Sequence, residues 1–134
     1  MKIDGQCHCG RVAFEAEIDP EKVEICHCAD CQTLSGSAFR TVVPTPEENF
    51  TLLRGSPKTY ERVADSGNKR LQAFCSDCGT PLYSTSVNPG SRSITLRVGA
   101  IRQRDQLPPM VQYWVRSAQG WVMDIGKLPK VEKQ

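Results

Sequence analysis

Seven cysteines, at positions 7 and 9, at 26, 28 and 31, and at 75 and 78, constrain this chain more than any other feature. Their odd number leaves no complete disulfide set, and their spacing is that of metal ligands. Cys75-Ser76-Asp77-Cys78-Gly79 holds two thiols three residues apart, able to grip one ion from a tight turn that ends on a glycine free to take positive φ. Cys28-Ala29-Asp30-Cys31 has the same spacing without the glycine. Cys7-His8-Cys9 and Cys26-His27-Cys28 share a second device. In extended chain, residues two apart project to one face, so both sulfurs can meet one ion while His8 or His27 points away.

The count itself suggests two unequal sites. A structural zinc ion takes four protein ligands, whereas a catalytic one keeps three and leaves a position for water or substrate. Four and three account for all seven cysteines. The compact triad Cys26, Cys28 and Cys31 suits the open site; Cys7, Cys9, Cys75 and Cys78 would then clamp the start of the chain to its middle. Spacing alone also permits other divisions, such as Cys7 and Cys9 with Cys28 and Cys31.

The 134 residues fit one domain, 1–134, and 39% hydrophobic with 24% charged residues is the composition of a folded chain, not a disordered one. A net charge of +2 is too small to mark a nucleic-acid partner, and the basic residues are scattered, with Lys69-Arg70 the only adjacent pair. The first residues contain no apolar run for a signal peptide, and no stretch approaches the roughly 18 to 20 apolar residues of a membrane span. The expected compartment is cytoplasmic, where thiols stay reduced and cysteines bind metals rather than each other.

Residues 12–18 alternate apolar and mostly polar positions, the period of a half-buried strand. Further strands are expected over 39–43, 50–53, 59–63, 71–74, 82–86, 94–98 and 111–115. Pro44, Gly55-Ser56-Pro57, Ser66-Gly67-Asn68, Asn88-Pro89-Gly90 and Pro108-Pro109 punctuate them. Short strands with turn signals this frequent predict an all-β chain. Helix is expected only as a capping-box turn at Thr45-Pro46-Glu47-Glu48 and a turn over 29–34 ended by Gly36. Residues 127–134 are polar and expected to fray.

In sequence the chain resembles the glutathione-dependent formaldehyde-activating enzyme (GFA) family, also called the centromere-protein-V type. The resemblance rests on Gly5-Gln6-Cys7-His8-Cys9-Gly10, Cys26-His27-Cys28-Ala29-Asp30-Cys31-Gln32, Ser35-Gly36-Ser37-Ala38-Phe39 and Phe74-Cys75-Ser76-Asp77-Cys78-Gly79-Thr80-Pro81-Leu82-Tyr83. Arg97-Val98-Gly99, Trp114 and Trp121 are later markers. It implies a mainly β, zinc-bearing fold of the Mss4-like type with two Zn2+ sites, the three-cysteine one less firmly filled. It assigns Cys7, Cys9, Cys75 and Cys78 to structural zinc and Cys26, Cys28 and Cys31 to catalytic zinc. The implied activity is that of a carbon–sulfur lyase joining glutathione, a small thiol, to formaldehyde as S-hydroxymethylglutathione. The competing expectation is a non-catalytic zinc module for protein or nucleic-acid partners, which the absence of a basic tail disfavours.

The remaining polar and aromatic candidates have ordinary readings. Asp30 and Gln32 read as loop residues flanking the triad, and Ser35-Gly36-Ser37 as a loop leading into a strand. Tyr83, Trp114 and Trp121 read as core or pocket wall. Arg40, Lys69, Arg70 and Arg97 could answer the carboxylates of glutathione, but isolated basic residues are usually solvated.

Overall fold

The computed structural model describes residues 1–64 and 66–134. Its architecture is mainly β, as the turn-punctuated alternation predicts. Strands β1 (Lys2–Gln6), β2 (Ala13–Glu17) and β5 (Phe50–Arg54) make a three-stranded antiparallel sheet in the order β1-β2-β5. The larger sheet contains β3 (Glu24–Cys26), β4 (Arg40–Pro46), β6 (Lys58–Val63), β7 (Lys69–Phe74), β8 (Pro81–Ser86), β9 (Ser93–Arg97) and β10 (Val111–Tyr113). Its order is β10-β3-β4-β9-β8-β7-β6, antiparallel throughout except for β10 beside β3. Short 3-10 turns and one α-helix, α1 (Ala29–Ser35), complete the described residues. No helix among them is long and apolar enough to cross a membrane.

The core lies between the sheets. Ile3, Phe14 and Ala16 from the small sheet pack with Val43, Leu82, Ile94 and Leu96 from the large one, and Phe50 and Tyr83 close its edge with ring centroids 5.0 Å apart. Gly5 is the one position in β1 with no room for a side chain: a Cβ there would overlap the Phe14 ring and the Ala100 carbonyl oxygen.

Several expectations need correction. Pro44 does not interrupt a strand; it sits inside β4, opposite Thr95. β3 pairs with β4 only as far as Val42, so the edge beside Pro44 needs no N–H donor. The capping box at Thr45 is not made. Thr45 stays in β4 and donates its hydroxyl to the Glu17 carbonyl, and the 3-10 turn Glu47–Asn49 starts without a side-chain cap. Strands β1 and β3 escaped the sequence reading because the first contains Gly5 and the second has three residues. Trp114 and Trp121 are not core: each is about half exposed, at 49% and 53%.

Candidate metal centres and the groove beside them

The turn Cys7–Gly10 joins β1 to β2, and the turn Cys75–Gly79 joins β7 to β8, so one belongs to each sheet. In both, a glycine N–H closes back on the first cysteine's carbonyl, at 3.0 Å for Gly10 and 2.8 Å for Gly79, with φ of 80° and 76°. The Cys7–Cys9 pair is therefore presented by a tight turn, not by extended chain as the two-residue spacing suggested. The turns face each other and bring the sulfurs of Cys7, Cys9, Cys75 and Cys78 within 4.8 Å of one another. Cys7 Sγ is 3.6 Å from Cys9 Sγ, which is 3.8 Å from Cys75 Sγ. A tetrahedron of metal–sulfur bonds about 2.3 Å long requires sulfurs about 3.8 Å apart, whereas a disulfide requires about 2.05 Å. All seven cysteines are free, so the donor set fits a metal ion and not S–S bonds. The Val12 N–H donates to Cys7 Sγ at 3.2 Å, and the Thr80 hydroxyl lies 3.1 Å from Cys78 Sγ. That hydroxyl contact is the largest influence holding the Cys78 thiol down to about 5.

The second cluster gathers Cys26, Cys28 and Cys31, again with sulfurs within 4.8 Å. Cys26 ends β3, Cys28 is the N-cap of α1, and Cys31 lies one turn into the helix, its N–H 3.4 Å from Cys28 Sγ. Gly36, at φ 65°, stops the helix where expected. The neighbouring Cys31 thiol does most to hold the Cys26 thiol down to about 5, aided by the Cys28 amide and the Arg40 charge and opposed by burial. The closeness of Cys26, with burial, raises Cys31. His27 points away from the triad as alternation requires. It is wholly buried, its Nε2 2.8 Å from Gln112 Oε1 and its ring edge-on to Phe39. His8 is exposed, and its backbone N–H donates to the Thr80 hydroxyl at 2.9 Å.

Strand register sets what faces the triad. Cys26 stands opposite Arg40, and Val42, two residues on, stands opposite Arg97. Thr95 pairs with Ser84, and Ser84 with Gln72, two residues from Arg70. One face of the large sheet, turned away from the core, therefore carries cysteine, arginines and glutamine together. Helix α1 lies over it, with Asp30 2.9 Å from Arg62. A groove of about 400 Å³ runs here, lined by Leu34, Arg40, Tyr60, Gln72 and Arg97 among others. A second, of about 350 Å³, shares Arg40 and Arg97 and adds Ser35 and Ser37.

Sequence reading treated these arginines as isolated and solvated. Arg97 is in fact only 6% exposed. The available signal was a polar period of two, Arg70 with Gln72 and Thr95 with Arg97, inside segments also bearing core residues; what it lacked was strand order. Lys69 does behave as expected, exposed beside Glu61 at 3.6 Å. Gln32 is more than a loop residue. Its amide donates to the carbonyls of His27 and Ser117, and its oxygen accepts from Gln119, tying α1 to the segment after β10.

The family model for glutathione-dependent formaldehyde-activating enzyme matches residues 2–117, a span that includes every cysteine and the arginines of the groove. The chain belongs to this family. Among relatives of the GFA chain, an uncharacterized lyase of Schizosaccharomyces pombe is 29% identical over 92 residues. The match covers 65% of this chain and 60% of the Schizosaccharomyces protein, less than two thirds of its length. The crystal structure of a Rhodobacter sphaeroides protein superposes with a TM-score of 0.62 at 18% identity, covering 81% of this chain and 98% of that one. At that identity the likeness concerns the fold alone.

Proposed function

We propose that this GFA-family chain is a zinc-dependent carbon–sulfur lyase that joins glutathione to formaldehyde as S-hydroxymethylglutathione and cleaves the adduct in reverse. The observation supporting this reading is the inequality of the two clusters: four sulfurs in one, three in the other. In this reading Cys7, Cys9, Cys75 and Cys78 saturate a structural zinc ion. Cys26, Cys28 and Cys31 hold a catalytic one and leave room for a visiting thiol. Zinc bound at the triad would supply a thiol held as thiolate and a Lewis acid for a carbonyl oxygen.

Bond formation needs no oxidant or reductant. The sulfur lone pair makes the new S–C bond, the C=O π pair moves to oxygen, and the proton lost by the thiol ends on the new hydroxyl. A free thiol with pKa about 8.5 is roughly 3% ionised at pH 7, so complete ionisation gains at most about 30-fold, on the order of 2 kcal/mol. A larger acceleration has to come from holding the two reactants together. Arg40, whose charge already acts on Cys26, favours an anionic sulfur beside the triad.

The test is adduct formation and exchange followed by NMR with the two-zinc protein. Rates above those of the uncatalysed mixture, lost in Cys31→Ser, are expected; a rate equal to background would reject this substrate pair.

A further inference from the structure

The groove beside the triad holds more positive charge than the chain neutralises. Arg40 and Arg97 both donate to one neutral oxygen, Gln72 Oε1, at 3.2 and 2.8 Å. Arg97 adds only the Thr95 carbonyl at 3.2 Å, and Arg70 only the Ser84 hydroxyl at 3.4 Å. Among the described residues no carboxylate lies within 4.0 Å of these three guanidinium groups, although Arg62 next to them has Asp30. The Nε atoms of Arg40 and Arg97 are buried and meet no acceptor. Burying a guanidinium against neutral partners is costly, and placing like charges beside it adds to the cost. Burial first, then the charges of Arg40 and Arg70, pull Arg97 down to about 9, which still leaves it protonated at neutral pH. The triad does not balance the account: three thiolates around one divalent ion carry a single net negative charge.

Resting on the reading of the triad as a thiol site, we propose that Arg40, Arg97 and Gln72, with Arg70 on the same sheet face adding positive charge, form a carboxylate pocket that selects acid-bearing thiols. The substrate's sulfur lies at Cys26, Cys28 and Cys31, and a carboxylate elsewhere on the same molecule lies in the groove. There it takes up the unused donors of Arg40 and Arg97. Guanidinium donors suit the two oxygens of a carboxylate, and such charge-assisted bonds are the strong ones. Thiols without an acid group leave the cations unpaired and bind weakly. Substrate choice thus resides on the sheet face and not in the metal ligands.

Calorimetric titration of the two-zinc protein with glutathione, its diethyl ester, S-methylglutathione and the ester of the latter tests this. Glutathione is expected to bind about 10- to 100-fold more tightly than its diethyl ester, the range of charge-assisted hydrogen bonds. Arg40→Gln and Arg70→Gln, at half-buried positions, should retain both metals and an unchanged melting point while reducing that preference to within about 3-fold. Arg97→Gln is the sharper substitution, but the wholly packed position makes it prone to misfold. Equal binding of acid and ester, or an intact preference in both Arg variants, overturns the pocket. S-methylglutathione separates the two ideas. If it binds as tightly as glutathione and keeps its preference over its ester, the pocket stands and the thiol site fails. If free thiols outbind it but esters bind as well as acids, the reverse holds.

Discussion

Cys75 and Cys31 contribute the same atom to their clusters, yet their losses should differ. Cys75 is fully buried at the junction of two turns, and on the proposed reading its cluster holds a structural metal, which contributes folding free energy directly. Cys75→Ser is expected to cost several kcal/mol and to leave much of the chain unfolded by circular dichroism. Cys31→Ser should keep the fold, lose one zinc ion by metal analysis and lose thiol binding. Equal unfolding by both would make both sites structural. Gly5→Ala tests packing at the same scale. The added methyl meets an aromatic ring and a backbone oxygen, and only the ring can move, so a loss on the order of 3 kcal/mol is expected in urea titrations. The triad and the two cysteine pairs were readable from spacing because ligand geometry is local, but spacing left open which pairs meet, and only the fold brings Cys7 and Cys9 to Cys75 and Cys78. The arginine groove was not: Arg40, Arg70 and Arg97 meet only through strand order.

Among elements, α1 and the segment after β10 are joined through Gln32, whose side chain makes three hydrogen bonds across them. Gln32→Ala should cost about 1–2 kcal/mol and speed amide exchange around Ser117, with little change in β4 or β9. Another clamp ties the 3-10 turn after β4 to the loop before β9. Arg92 gives two nitrogens to Glu47 Oε1, at 2.8 and 2.6 Å, and the Gly90 N–H reaches Oε2 at 3.3 Å. The Arg92 hydrogen bonds hold the Glu47 carboxyl below its ordinary value of 4.5. A carboxyl lowered in the folded state stabilises above its unfolded pKa and ceases to do so as pH falls through the folded one. Stability should therefore drop on acidification below about pH 4, and Glu47→Gln should flatten that limb in melts taken from pH 6 to 3. Eight strands followed from alternation and turn residues. β1 and β3 did not, because a three-residue strand and one holding Gly5 carry little periodicity. Trp114 and Trp121 misled for a different reason: aromatic residues usually indicate a core, and here the chain after β10 leaves them half exposed.

For the molecule as a whole, the four-sulfur cluster brings together turns from the two sheets, which a bound metal would staple, while the triad lies within the large sheet and its overlying helix. Chelation should therefore act in two stages, the first removing ligand affinity and the second the fold, visible as separate steps when metal release and ellipticity are followed together. The order of strands also sets a length. Cys26 and Arg97 stand on β3 and β9, with β4 between them and a two-residue offset along it, so their backbones are about 12 Å apart. On the proposed reading a short thiol acid such as cysteine meets only Arg40, opposite Cys26, whereas a longer one extends along the sheet face towards Arg97.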